Sequence, residues 1–136
     1  MKGFPKATLA AAVALAMAGA AYAAEMKVSL AGDQEVPPVT TQAKGSGAVT
    51  IGDDGAVSGT ITTTGVQGTA AHIHQAAAGK NGPVIVPMTK SGDNGWTFAP
   101  GAKLNPDQMN ALKAGDLYIN VHSAANPGGE IRGQLK

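Results

Sequence analysis

Turn-forming residues recur about every ten residues through most of this chain and divide it into short segments rich in Gly, Thr, Val and Ser. Two of these turns are residues 52–55 (GDDG) and residues 126–129 (NPGG). Segments this short leave little room for long helices, and they are typical of strands in an antiparallel sheet. The spacing therefore predicts an all-β fold, specifically an antiparallel Greek-key β-sandwich.

The predicted strands can be placed from their apolar and β-branched residues. We expect a crossing segment rather than a strand at residues 34–39, because two prolines there remove hydrogen-bond donors from any ladder. One short helix is indicated by Asn105 as N-cap, Pro106 at the first helical position and Gly115 at the end. The strands are expected at residues 26–30, 47–51, 56–64, 71–74, 84–88 (buried), 116–122 and 130–135.

The first 23 residues read as a secretory signal peptide. A basic start with Lys2 and Lys6 precedes an alanine-rich apolar run, and an A-x-A cleavage motif ends at Ala23. The apolar run is shorter than the ~20 residues that a membrane-spanning helix needs. We therefore expect a periplasmic or secreted protein without a membrane span after cleavage, with residues 24–136 forming a single domain.

Charge and composition exclude several classes of function. Removal of the signal peptide leaves eight basic and nine acidic residues, and no cluster of Lys or Arg remains to bind a phosphate backbone. Aromatic residues make up only 4% of the chain, so base-stacking platforms are missing as well. Nucleic acid is not expected as a partner. The sequence also lacks nucleophile-elbow, Walker and dinucleotide-binding motifs.

All three histidines of the chain fall in two predicted strands with matching parity. His72 and His74 project from one face of the first strand, because successive side chains in a strand alternate. In the second strand, alternate residues from 117 to 121 are apolar, which leaves His122 on the opposite face. If the two strands are neighbours, three imidazoles meet and form an open transition-metal site. The alternative is three polar side chains on a solvated sheet face.

Copper is the metal that we expect at such a site, with zinc as the second candidate. The chain has no cysteine, so thiolate ligands are excluded, and affinity for nitrogen ligands peaks at Cu(II) among the divalent ions. Three histidines with an open fourth position also match catalytic zinc sites. Met88 and Met109 offer thioether sulfurs, although both occupy positions typical of core packing. Tyr118 and Asn120 share the parity of His122 and either orient a ligand or face solvent.

Arg132 is the candidate catalytic residue if the copper site processes a small anion. Positive charge near a redox-active metal attracts an anion such as superoxide, and the turn at residues 126–129 brings Arg132 back towards the His122 strand. The competing interpretation is an ion pair between Arg132 and Glu130 across one strand face.

Five segments resemble the CHRD (chordin-type) domain, in the same order along the chain: residues 30–38 (LAGDQEVPP), 71–74 (AHIH), 82–87 (GPVIVP), 117–122 (LYINVH) and 126–134 (NPGGEIRGQ). They span nearly all of the expected mature chain. The resemblance implies a β-sandwich similar to the immunoglobulin and copper,zinc superoxide dismutase architectures. A weaker likeness to superoxide dismutase itself implies a copper-only form, since no further histidines exist for a zinc site.

Three functions follow as hypotheses. The first is a copper protein that dismutes superoxide through His72, His74 and His122. The second is a copper carrier or buffer without turnover, which delivers the metal to a copper-accepting protein. The third is a CHRD interaction module without a metal.

Overall fold

Residues 23–136, the part of the chain that the computed structural model describes, contain nine strands, a short 3-10 helix at Gly32–Gln34 and one short α-helix. Apart from Ala23, the expected signal peptide lies outside the described residues. The strands are β1 (Ala23–Ala31), β2 (Lys44–Gly52), β3 (Val57–Thr64), β4 (Gly68–Gln75), β5 (Val84–Pro87), β6 (Thr89–Ser91), β7 (Gly95–Thr97), β8 (Leu117–Ser123) and β9 (Ile131–Gln134), and the helix α1 is Pro106–Ala114.

All neighbouring strands pair antiparallel in one sheet of order β5-β4-β8-β9-β1-β2-β3-β7-β6. The all-β antiparallel prediction is confirmed. The sheet consists of two runs, β5-β4-β8-β9 and β1-β2-β3-β7-β6, and the single residue pair Ala31–Arg132 joins β1 to β9. Pairing is therefore continuous across the fold, rather than divided between two separate sheets.

The sheet curls around one apolar core to which both runs contribute. Ile61 of β3 is fully buried together with Ile73 of β4 and Ile119 of β8. Gly68 permits the closure, since a Cβ atom there would overlap the Trp96 ring. The end strand β6 also contacts β4, the second strand from the other end of the sheet, through a hydrogen bond of 2.9 Å from Lys90 Nζ to the Gly68 carbonyl. The inner face of β4 and β8 is thereby fixed against the core.

The predicted helix is confirmed, including its ends. Asn105 Oδ1 accepts from the Gln108 backbone N–H, and Gln108 Oε1 accepts from the Asn105 N–H, each at 2.8 Å. Gly115 closes the helix in the left-handed conformation, with φ of 81°. No helix among residues 23–136 has the length and apolar character to cross a membrane.

Two strand predictions need correction. The segment expected as a buried strand at residues 84–88 is an edge strand, and Val84 is 49% exposed because β5 has a neighbour on one side only. Strands β6 and β7 were not predicted, since each has three residues and β6 is exposed throughout. The crossing segment, by contrast, is confirmed: residues 35–43 form no strand between β1 and β2.

The helix cap generates a prediction about stability. Replacing Asn105 with Ala removes the Oδ1 acceptor of the Gln108 backbone N–H, and we expect the free energy of unfolding to fall by about 1 kcal/mol. Chemical denaturation measures this change. Asn110→Ala is the matched control, because Asn110 is exposed within the same helix and alanine has the higher helix propensity there. Equal destabilisation by both variants would contradict the role of the cap.

Candidate metal centre

The pairing of β4 with β8 brings the three histidines together. His72 lies opposite Asn120, His74 lies opposite Tyr118, and His122 lies opposite Ala70. The three imidazoles therefore occupy diagonal positions on one face of two neighbouring strands, where long side chains meet. The pairing shifts register between Gly68 and Ala70, and such irregularities often re-aim side chains next to functional sites.

The histidine cluster, defined as His72, His74 and His122, has the compactness of a metal site. One ring nitrogen from each histidine lies within 4.8 Å of the others. The ring centroids are 4.9 Å apart for His72 and His122, 5.4 Å for His72 and His74, and 5.8 Å for His74 and His122. The predicted convergence of the three imidazoles is confirmed.

Two backbone carbonyls set the tautomers of two of the rings. His74 Nδ1 donates to the Gly82 carbonyl, and His122 Nδ1 donates to the Pro127 carbonyl, each at 2.9 Å. The Nε2 atom of each ring therefore carries a lone pair. Carbonyls that fix the tautomer of ligating histidines in this way are a regular feature of metal sites.

The remaining polar contacts leave the His74 lone pair available. His74 Nε2 is buried and has no hydrogen-bond partner in the protein. His122 Nε2 lies 3.1 Å from His72 Nδ1, which must supply the hydrogen of this contact because His122 Nε2 is the acceptor. A buried acceptor without a partner is costly, and coordination of an ion at the cluster would satisfy it.

Burial also keeps two of the imidazoles neutral at neutral pH. Burial lowers the pKa of His72, and the neighbouring His122 and His74 lower it further. The pKa of His74 is likewise lowered, chiefly by burial. Neutral imidazole is the form that binds metal, so these two ligands need no deprotonation at pH 7.

The spacing fits a first-row transition metal after a small adjustment. Two nitrogens that each lie ~2.0 to 2.1 Å from one ion are at most about 4.2 Å apart. The cluster extends to 4.8 Å, so a bound ion would draw the rings slightly inward. His72 and His122 are half-buried while His74 is 8% exposed. The cluster is therefore closed at His74 and accessible to solvent at His72 and His122.

The face of the sheet that carries the cluster is covered, although the sequence left open whether it faced solvent. Tyr118 and Asn120 are each 2% exposed. The Tyr118 ring stacks on His74 with centroids 4.9 Å apart and planes 3° from parallel, and its hydroxyl accepts from the Gly82 N–H at 3.1 Å. Tyr118 thus packs on the face of the His74 ring, and Gly82 binds its Nδ1 edge.

Arg132 occupies a different setting from the one that the sequence suggested. Its guanidinium is 1% exposed and lies over Tyr118, 3.4 Å from the ring centroid. It donates to Gln134 Oε1 at 2.9 Å and to the Ala77 carbonyl at 3.1 Å. The alternative ion pair with Glu130 is wrong, because Glu130 accepts its hydrogen bonds from other side chains. Steering of an anion by Arg132 stays a prediction.

Residues 76–82 form a loop that closes over this face, and polar side chains fasten it. Gln134 Nε2 donates to the Ala76 carbonyl at 3.1 Å, and Asn81 Nδ2 donates to the Val36 carbonyl at 2.8 Å. The loop then delivers the Gly82 carbonyl to His74. Met88 and Met109, the two possible thioether ligands, pack in and against the apolar core.

Sequence reasoning missed three groups at the site. The carbonyls of Gly82 and Pro127 carry no side-chain signal, although each lies in a turn that follows a histidine strand. Glu35 stood out only as part of a proline-rich segment, yet it is 4% exposed and lies next to Asn120 beside Gly129.

These features define an all-β domain with a three-histidine cluster on a covered sheet face. The CHRD domain family model matches residues 26–135, and the chain belongs to that family. The predicted resemblance is confirmed over nearly the whole described chain. No curated protein and no solved structure matches the chain significantly, so the likeness to copper,zinc superoxide dismutase stays a prediction.

Close packing beside the site predicts the effect of one glycine substitution. Gly129 has φ of 126°, and a Cβ atom there would overlap the Asn120 amide and the Glu35 carboxylate. We expect Gly129→Ala to lower the free energy of unfolding by about 1–3 kcal/mol. Gly128→Ala is the control, since a Cβ atom at Gly128 meets nothing within 4 Å. Chemical denaturation compares the two, and equal stability would contradict the close approach at Gly129.

Proposed function

We propose that this CHRD protein is exported and binds one copper ion through His72, His74 and His122. The observation that carries the proposal is the buried, unpartnered Nε2 of His74, held in place by the Nδ1 hydrogen bond to Gly82. A histidine that served only packing or solubility would not need a backbone carbonyl to aim a free lone pair into a cluster of imidazoles.

Copper is favoured over zinc by the chemistry of the donors. The site offers neutral imidazoles and no thiolate, and nitrogen donors rank Cu(II) above Zn(II). Imidazole also serves Cu(I), so one ligand set accommodates both oxidation states. When bound, copper supplies one-electron redox chemistry.

Superoxide dismutation is the second candidate function, and the accessible side of the cluster favours it. Half-buried His72 and His122 leave a route for a small molecule to the ring nitrogens. Dismutation converts two superoxide ions and two protons into dioxygen and hydrogen peroxide. Arg132 would contribute a fixed positive charge from beneath the loop, because its N–H groups are engaged by protein acceptors.

Copper titration tests the primary proposal. We expect the metal-free mature protein to take up one Cu(II) per chain, and His74→Ala to weaken the affinity by at least about 100-fold because one of three ligands is lost. Affinity should decrease as the pH falls below the lowered pKa values of His72 and His74, because protons then compete for the nitrogens.

Gln75→Ala is the matched control for that titration, since Gln75 is the neighbour of His74 on the same strand and lies outside the cluster. It should bind copper like the wild type. If the wild type took up no copper in stoichiometric amount, the proposal would be wrong.

A superoxide decay assay separates the enzyme from the carrier. The copper-loaded dismutase should lose turnover on His122→Ala while its far-ultraviolet circular dichroism stays unchanged. Its rate should also fall at high salt, because screening weakens the attraction of an anion. Copper binding without any turnover would instead identify a carrier or buffer. An interaction module would instead keep its binding partner after alanine substitution of all three histidines.

A further inference from the structure

Glu35 is a buried carboxyl group that the three-histidine site does not use as a ligand. It is 4% exposed, and its Oε2 atom is buried without a hydrogen-bond partner in the protein. Among residues 23–136, only three buried side-chain nitrogen or oxygen atoms lack a hydrogen-bond partner, and the other two are His74 Nε2 and Asn120 Oδ1. His74 and Asn120 belong to the sheet face that carries the cluster.

Asn120 connects Glu35 to the histidines. The Asn120 amide and the Glu35 carboxylate meet over the Cα atom of Gly129, where no side chain separates them. Asn120 is also paired across the sheet with His72 on β4 and with Arg132 on β9. Glu35 therefore lies one side chain away from the histidine cluster.

A second buried glutamate, Glu130, is a carboxylate stabilised by hydrogen bonds and serves as a comparison for Glu35. Glu130 is 9% exposed, and it accepts from Ser123 Oγ and Thr41 Oγ1, each at 2.6 Å. These hydrogen bonds hold the pKa of Glu130 below its usual value. Glu35 has no hydroxyl donor, and burial raises its pKa to about 7, against smaller lowering effects of the Asn120 amide, as a hydrogen-bond donor, and of the Arg132 charge.

The two glutamates differ in what a nearby cation would do. Three imidazole ligands bring no negative charge, so a divalent ion at the cluster would be a largely uncompensated charge in a partly buried place. A neutral carboxylic acid next to it provides that compensation by ionising. Glu130 is already ionised, so it has no proton to release when a cation binds.

We propose that Glu35 is the charge-compensating group of the metal centre, a neutral carboxylic acid in the metal-free protein that releases its proton when a divalent ion binds. This inference rests on the proposed metal-binding function. In the step, the Glu35 O–H bond breaks, the electron pair stays on the carboxylate, and the proton passes to the solvent. Glu35 acts on the ion through space and through Asn120, so it is a positioning residue rather than a ligand.

The charged and titratable groups around Glu35 determine how this proton responds to pH. Arg132 on β9 favours the ionised carboxylate, and the histidine cluster lies beyond Asn120 on β4 and β8. The pKa values of His72 and His74 are lowered, chiefly by burial, so these two rings lose their protons at a lower pH than an exposed histidine does.

Counting protons during copper uptake tests the inference. Metal-free full-length mature protein is titrated with Cu(II) in a pH-stat at about pH 6, where about nine-tenths of Glu35 is protonated. We expect the wild type to release close to one proton more per bound ion than Glu35→Gln does. At about pH 8 the excess should shrink to about a tenth of a proton, since Glu35 is then already ionised.

Affinity supplies a second signature in the same variants. We expect Glu35→Gln to weaken copper binding by about 100-fold at pH 8, at the upper end of the range known for groups behind the ligands. The loss should be only about tenfold at pH 6, where the wild type must first lose the proton. Glu130→Gln is the matched control. It also removes a buried glutamate, but its effect on affinity should not vary over this pH range and its proton count should equal that of the wild type.

Carbon-13 NMR on the wild type avoids any effect of substitution on folding. The chain has three glutamates, Glu25, Glu35 and Glu130, so labelling of their side-chain carboxyl carbon gives three signals. In metal-free protein one signal should titrate near pH 7, and Zn(II), a diamagnetic ion, should shift it to the ionised position at pH 6.

Each outcome bears on a separate claim. If copper is taken up and both Glu35→Gln and the wild type release equal numbers of protons, this inference is wrong and the metal site stands. A Glu35 signal that stays in the protonated position with Zn(II) bound overturns it as well. Absence of stoichiometric copper uptake overturns the proposed function itself and this inference with it.

Discussion

The antiparallel register between β4 and β8 is the constraint on which the rest of this structure depends. It places His72 opposite Asn120 and His74 opposite Tyr118, and a slip by one residue would move all of these side chains to the apolar face. The core prevents such a slip, because Ile73 and Ile119 are fully buried on the inner face. Apolar packing on one side of the sheet thus fixes the polar geometry on the other.

Strand β8 is buried on both faces, including the face that carries the histidine cluster. Polar groups there must find partners inside the protein, and the loop of residues 76–82 supplies them through its backbone. Arg132 and Gln134 bind the Ala77 and Ala76 carbonyls, and the same loop ends at Gly82, which orients His74. Arg132, which the sequence suggested would attract an anion, therefore helps to hold the loop of residues 76–82 in place.

The sequence was sufficient to predict the elements whose signals are local. The capped helix from Pro106, the Asp-Gly turn after β2 and the parity of the three histidines depend on neighbouring residues, and all three are as expected. Strands β6 and β7 escaped prediction because each has three residues, β6 is exposed, and Trp96 of β7 pairs with the distant Ile61 rather than belonging to a local pattern. The covering loop and the ligand-orienting carbonyls escaped it because backbone atoms look alike in every residue.

Glu35 and Glu130 show why buried charge is the hardest part of a site to predict from sequence. Both belong to segments that carry the family resemblance, and both are buried. One is surrounded by hydroxyl donors from β8 and from the segment that follows the prolines, whereas the other meets an amide over a glycine. Their opposite pKa directions follow from those partners, which are up to 89 residues away in the chain. The fold determines which glutamate has the raised pKa, and it places that glutamate one side chain away from the histidine cluster.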